Sequence, residues 1–204
     1  MKVLAIAPQP FFTPRGTPFS VYYRTLITAE LGATVDLLTY GEGQDVDISG
    51  VRIIRIPRFP FLGGIKIGPS WLKLFLDIFI AIWTVSLLIC NRYDAVHAHE
   101  EAIFICSVLK PIFKFKLIYD MHSSLPEQLL NFKFTKSKLL IHIFKKLEDF
   151  CLHISDVTIT ICPSLYDYAS RIVGDRNKVL LIENSIFDEV KLSERAPQFR
   201  KKAA

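Results

Sequence analysis

Short apolar runs alternate along the chain with longer segments of helical periodicity. Lys2 to Ala7 reads as a first strand. Thr17 and Pro18 open a helix, because threonine caps and proline suits a first turn; it runs to Leu31 and stops at Gly32. Thr34 to Tyr40 and Val51 to Ile56 are the second and third strands. Pro57 to Pro69, rich in Pro and Gly, is a loop before an apolar helix from about Ser70 to Ile89. A fourth strand, Tyr93 to His99, precedes a helix from Glu101 to Leu109, and Lys116 to Asp120 is the fifth strand. A helix from Lys138 to Ile154 leads to a sixth strand, Val157 to Ile161. Ser164 to Val173 is a helix closed by Gly174, with Ser164 and Asp167 at capping-box spacing, and Lys178 to Ile182 is the seventh strand. Short apolar strands separated by helices predict an α/β fold in three layers, with a mostly parallel sheet of about seven strands covered on both faces. Residues 1–190 are expected to form the domain, and 191–204 a basic tail or the start of an interdomain linker.

The apolar helix needs its own reading. Between Trp71 and Cys90 only Lys73 and Asp77 are charged. The uncharged part, Ile78 to Cys90, has 13 residues, against about 20 for a membrane-spanning helix. Asp77 inside a bilayer would cost roughly 3 kcal/mol. Lys73 and Asp77 are four apart and share a face, which Thr84 and Asn91 continue at seven-residue steps. The pattern predicts one narrow wet stripe with the rest buried in a soluble core; shallow insertion in a membrane is the second reading, and spanning a distant third.

Half of the 204 residues are hydrophobic, which excludes a disordered chain. The formal charge of +5 is unevenly spread. Residues 110–146 hold eight lysines and two acids, and 191–204 hold five basic residues and one acid. A local basic face fits this better than general nucleic-acid binding. The four cysteines, Cys90, Cys106, Cys151 and Cys162, form no CxxC, so neither a disulfide framework nor a zinc cluster is expected; a reducing, cytoplasmic setting is. Val3 to Ala7 is too short for a signal-peptide core.

In an open α/β sheet ligands bind beyond the carboxyl ends of the strands. Leaving those ends are the loop from Pro8 to Thr17; His97, His99, Glu100 and Glu101; Asp120, His122, Ser123 and Ser124; Cys162 and Ser164; and Glu183, Asn184 and Ser185. Three of the five histidines fall on this edge, and neutral imidazole both donates and accepts hydrogen bonds. His97 and His99 share a strand face that could hold a metal, but no third ligand stands at convincing spacing, so no metal is expected. A single satisfied rim histidine is the expectation for His97, and an exposed, functional one for His122. Gly16 allows either a tight turn or backbone approach to a phosphate at a helix N-terminus. Asp120 could bond only to a neighbouring loop, and Glu183 and Asn184 could be an ordinary chain exit. The first turn lacks GxGxxG, and neither GxxxxGK[ST] nor GxSxG occurs. Nicotinamide-dependent dehydrogenases, P-loop NTPases and α/β-hydrolases are therefore disfavoured.

Residues 1–190 resemble the N-terminal half of retaining GT-B glycosyltransferases of family 4, or group 1. The resemblance rests on Gly16-Thr17 before a helix, Tyr93-Asp94-Ala95-Val96-His97-Ala98-His99, Leu117-Ile118-Tyr119-Asp120-Met121-His122-Ser123, Ser155 to Thr160, and Leu181-Ile182-Glu183-Asn184. It implies one of two Rossmann-like domains facing a cleft. This domain would bind mainly the acceptor, and the other the nucleotide sugar. By carry-over, Gly16 and Thr17 approach the donor phosphates, His122 is the catalytic candidate beside the transferred sugar, and His99 lines the acceptor side. Arg15, Glu100, Asp120, Ser123 and Asn184 are further candidates for the cleft lining. No cofactor is implied beyond the nucleotide-sugar co-substrate, whose nucleotide is open, and the acceptor is a glycan or a lipid-linked molecule. The sequence departs from the family in three ways. Its glycine-rich loop is reduced to Gly16, Asn184-Ser185 replaces the usual Asn-Gly, and the second domain with its paired glutamates is missing. The second half is expected in cis or in trans, and this chain alone is expected to be inactive.

The competing class is a non-catalytic Rossmann-like module that docks on a membrane or a partner. Lys133, Lys136, Lys138, Lys145 and Lys146 alternate with Phe132, Phe134, Leu139, Leu140, Ile143 and Phe144. From Lys138 onward, Leu139, Leu140, Ile143, Phe144 and Leu147 form an apolar face, whose plain reading is a core face opposite solvated lysines. The cluster as a whole predicts peripheral, salt-sensitive binding to anionic membranes, with Lys133, Lys136 and Lys138 facing the lipid.

Overall fold

The first strand, β1 (Lys2–Ala7), is buried from Val3 onward, as a central parallel strand covered on both faces must be. In this computed structural model, which describes residues 1–13, 16–59, 65, 70–131 and 137–183, the chain continues with α1 (Gly16–Glu30), β2 (Thr34–Thr39), β3 (Val51–Arg55), α2 (Trp71–Cys90), β4 (Ala95–His99) and α3 (Ala102–Phe113). Then follow β5 (Lys116–Met121), α4 (Leu125–Asn131), α5 (Lys138–Ile154), β6 (Val157–Thr160), α6 (Pro163–Val173), a 3-10 turn at Arg176–Lys178 and β7 (Val179–Leu181). Helix α4 is the one α-helix the sequence pattern did not predict among the described residues. The expected boundary at residue 190 lies outside them, as do Arg15, Lys133, Lys136 and Asn184.

The strands form a single parallel sheet in the order β3-β2-β1-β4-β5-β6-β7. The order reverses between β1 and β4, whose connections leave in opposite directions and open a crevice at their carboxyl ends. Alternation splits the core in two. Leu4, Ile6, Leu38, Val96, Ala98, Leu117 and Tyr119 face the layer of α2, α3, α5 and α6. Val3, Ala5, Ala7, Val35 and Leu37 face the side of α1, where Val21 packs against them.

Local chemistry sets the helix ends. The Ser70 hydroxyl accepts from the Lys73 N–H at the start of α2, and Ser137 from Leu140 at the start of α5. Gly174 ends α6 in the left-handed region at φ 72°. Ser164 is not its cap: Cys162 holds that place, and Pro163 takes the first helical position, where its missing N–H is harmless.

Two helices turn opposite faces inward from those expected. On α2 the polar stripe is the buried one. Thr84 is fully buried; Lys73 and Asp77 point into the protein, where Lys73 pairs with Glu101 and the Tyr40 hydroxyl donates to Asp77 Oδ1 at 2.5 Å. The apolar residues Trp71, Leu74, Phe75, Ile78, Ile82 and Ile89 lie outside. On α5 the inner side is Glu148, Cys151 and Leu152, while Leu139, Ile143 and Leu147 are exposed beside the lysines. In both cases buried polar partners decide the orientation: a carboxylate with waiting donors outweighs an unmatched apolar side chain.

Candidate functional site

Strand alternation places His97 and His99 on the α1 face, and the β4–β5 register sets Asp120 directly opposite His99. The two imidazoles stack with ring centres 4.4 Å apart, and His122, just beyond β5, approaches His99 at 5.8 Å. The Asp120 carboxylate is the hub, fully buried. Its Oδ2 lies 3.0 Å from His97 Nε2, 3.2 Å from His99 Nδ1 and 3.1 Å from Arg24 Nε; its Oδ1 lies 3.3 Å from His122 Nε2.

Arg24 was missed by the sequence reading. It stands on α1, donates through Nε to Ser20 Oγ at 3.0 Å, and reaches the Ile182 carbonyl after β7 at 3.2 Å. One signal for it existed: Arg24 is the one cation in a helix whose other residues, apart from Glu30, are uncharged. Its side chain is only 11% exposed, so its charge requires a buried counter-charge, which Asp120 supplies.

Burial alone would raise the Asp120 carboxyl, but the three surrounding imidazoles, His99 foremost, outweigh it and hold the group well below the usual carboxylate range. Burial and then neighbouring His97 push His99 down to about 3, against the opposing pull of Asp120. At neutral pH His99 is therefore an uncharged imidazole, and the Asp120 charge is balanced by Arg24. His122 is 8% exposed rather than the open rim residue expected, because the Asp120 carboxylate draws it inward. His97 is also buried and sits on the carboxylate.

The other candidates take varied places. Gly16 begins α1 and is exposed; a Cβ added there meets nothing within 4 Å among the described residues. Its φ is not in the left-handed region, so the turn itself does not demand glycine. Thr17 follows in the first turn, half-buried. The preceding loop is fixed by Phe11 and Phe12, which exchange backbone hydrogen bonds with Glu42 and Gln44, and by Arg55, which donates to the carbonyls of Phe11, Glu42 and Gln44. Glu100 leaves β4 with φ 49°, a left-handed conformation rare outside glycine, and its N–H donates to the Asp120 carbonyl at 3.1 Å. Burial and then Glu101 raise the Glu100 carboxyl. Ser123 is half-buried and accepts from the Gln128 amide. Ser124 donates to Glu148 Oε1 at 2.8 Å, and the Leu125 N–H to Oε2 at 2.7 Å, so Glu148 of α5 caps the start of α4.

The third metal ligand that the sequence lacked is Asp120. One ligand atom each from His97, His99 and Asp120 lies within 4.8 Å of the others. The donor set suits a divalent ion, but the guanidinium of Arg24 already meets the same carboxylate oxygen. A second cation would sit against it. The residues fit a charge-balanced polar floor better than a metal cage.

Comparison with known proteins identifies the family and the fold. The family model described as Glycosyltransferase Family 4 matches residues 20–189. Sucrose-phosphate synthase from Thermosynechococcus elongatus is similar in structure with a TM-score of 0.64 and 17% identity, over 89% of this chain and 47% of that one. HepE from Anabaena, solved in complex with UDP and glucose, gives 0.52 and 14%, over 91% and 45%. UGT89C1 of Arabidopsis thaliana, complexed with quercetin, gives 0.54 and 14%, over 97% and 55%. The chain thus spans about half the length of these solved proteins. No curated protein matches the sequence. With its parallel sheet forming one half of a GT-B fold, the chain belongs to Glycosyltransferase Family 4.

Proposed function

We propose that this chain is the acceptor-binding half of a retaining glycosyltransferase that moves a sugar from a nucleotide-sugar donor to an acceptor. The observation that carries the reading is the Asp120 cluster at the sheet's switch point, in a chain whose match to the family runs through residues 20–189. The donor sits in the second half of the fold, so residues 1–204 alone do not turn over.

In this reading the first turn of α1, at Gly16 and Thr17, presents N–H groups and a positive helix end to the departing diphosphate. The open space around Gly16 leaves room for that approach. As the anomeric carbon–oxygen bond to the diphosphate breaks, the acceptor oxygen bonds to the same face of the carbon, and its proton passes to the departing phosphate oxygen. The chemistry needs no protein nucleophile. His122, oriented through Nε2 by Asp120, offers Nδ1 to a hydroxyl of the sugar. Glu100 borders the acceptor; His99, expected to line the acceptor side, is 1% exposed and instead packs between His97 and His122 beneath the cleft.

The test is a transfer assay with the full-length gene product, or with this chain plus a second half. Uridine diphosphate sugars come first, since HepE was solved with UDP. The product's anomeric configuration is read by NMR, and retention is expected. Because His122 is buried, alanine would open a cavity; His122→Asn is the cleaner variant. It should lower kcat by ~10²-fold or more with an unchanged circular dichroism spectrum. Near-normal turnover by the folded variant removes His122 from the mechanism, and an inverted product removes retention.

A further inference from the structure

Helix α2 is inside out. Its outward residues Trp71, Leu74, Phe75, Ile78, Ile82 and Ile89 lie on one side of the helix and form a ridge, with the exposed Ser86 beside it near the far end. Trp71 is 78% exposed and Ile89, at the far end, 70%. No charged residue of α2 is exposed. With 20 residues, α2 is long and apolar enough to cross a membrane, and the ridge runs about 30 Å. Soluble surfaces rarely carry an apolar strip of this length.

The ridge has neighbours in the same layer. Helix α3, packed between α2 and α5, exposes Val108 and Ile112. Helix α5 exposes Leu139, Ile143, Leu147 and Phe150 in one stripe, with Lys138, Lys145 and Lys146 exposed along its flank.

We propose that this outer face of α2, α3 and α5 is a docking surface for an anionic lipid bilayer, with α2 lying along the surface among the headgroups and upper acyl chains. Its inner side forbids crossing: Leu76, Ile80, Thr84 and Leu88 are buried against the sheet, and Asp77 and Lys73 are bound to Tyr40 and Glu101. A helix fastened along one side and apolar along the other lies in the interface plane. Charge selects the occupant. The exposed lysines of α5 beside the apolar stripe complement an anionic leaflet, whereas a second copy would bring the same lysines against each other. The sequence pointed to Lys133, Lys136 and Lys138 as the lipid-facing set; α2 adds an apolar anchor that its pattern had assigned to the core. The amino end of α2 meets Glu101, next to Glu100 at the cleft, so a docked protein holds the cleft rim beside the bilayer.

Vesicle binding is read without any sugar donor, so it stands apart from the transfer reaction. The 204-residue chain is floated with vesicles of phosphatidylcholine alone or with 30 mol % phosphatidylglycerol, at low and high salt. Binding to the anionic vesicles, weakened by salt, is expected, with quenching of Trp71 fluorescence by bromine-labelled acyl chains in a Trp83→Phe background. Ile78→Glu with Ile82→Glu, both at exposed positions, should reduce partitioning at least tenfold with unchanged circular dichroism. Lys138→Gln, Lys145→Gln and Lys146→Gln together should remove the preference for anionic lipid while leaving part of the binding. The proposal is overturned by absence of binding, by full binding of the Ile78→Glu, Ile82→Glu variant, or by a dimer that this variant converts to monomer.

Discussion

Replacing Asp120 by asparagine isolates the charge at the centre of the cluster. Asparagine keeps the size of the side chain and one acceptor oxygen, so no cavity opens. It removes the negative charge that Arg24 meets at 3.1 Å, and Arg24 has nowhere else to go: its side chain is 11% exposed and tied to Ser20 and Ile182. Breaking a buried ion pair by removing one partner costs about 3–5 kcal/mol, because the survivor keeps its desolvation penalty. With a urea dependence of roughly 2 kcal/mol per molar, the midpoint should fall by about 1.5–2.5 M, read by circular dichroism at pH 7.5. Adding Arg24→Met should restore most of the loss, since the stranded cation is then gone. A loss below about 1 kcal/mol for Asp120→Asn, or no recovery in the double variant, would show that water or rearrangement neutralises Arg24 and that the cluster is not an obligate pair.

The same cluster fixes a pH response. His99 is held at about 3 against an ordinary value of 6.5, so below 6.5 the unfolded chain takes up a proton that the folded chain refuses, and stability falls between about 6.5 and 3. Asp120 acts in the same direction: its contribution is present above 3.8 and lost as pH falls through its lower folded value.

Asp77 gives the opposite slope: burial and then Glu101 raise it to about 7 from 3.8, so the folded state binds the extra proton and stability falls as pH rises from about 4 to 7. Asp77→Asn should flatten that limb of a urea-midpoint series, and an unchanged limb would exclude Asp77 as its source. At Gly43, φ is 122° and an added Cβ would lie 2.1 Å from the Phe11 carbonyl oxygen; Gly43→Ala should cost at least about 1–3 kcal/mol, and a midpoint within about 0.5 kcal/mol of wild type would contradict that packing. Glu100 stands in the left-handed region, so Glu100→Gly should be more stable than Glu100→Ala by about 1 kcal/mol, and the reverse order would mean that its backbone carries no strain.

The sheet was legible because strand signals are local. Runs such as Val3 to Ala7 and Leu117 to Tyr119 are short and apolar, and the predicted strands fall within two residues of the observed ones. The ligand edge was legible for the same reason: once a strand ends, its last side chains are known. Arg24 was not, because its partner lies on β5, 96 positions along the chain, and only the register across β1, β4 and β5 brings α1 over Asp120. The burial of His122 has the same origin, a carboxylate two residues away whose inward direction depends on the strand's face.

The orientation of α2 was hidden for a different reason. Periodicity locates a polar stripe on a helix but carries no sign: Lys73, Asp77 and Thr84 at spacings of four and seven fit a stripe facing water and a stripe facing buried partners equally well. The sign comes from what waits on the sheet. Tyr40 at the end of β2 and Glu101 after β4 provide a donor for Asp77 and a carboxylate for Lys73, and no local pattern announces either. Once those partners fix the inner face, the apolar residues on the opposite side of the helix are left outward. The buried polar network beside the cleft and the exposed apolar ridge are therefore one feature. A substitution that freed Asp77 from Tyr40 would loosen the hold that keeps the ridge turned outward.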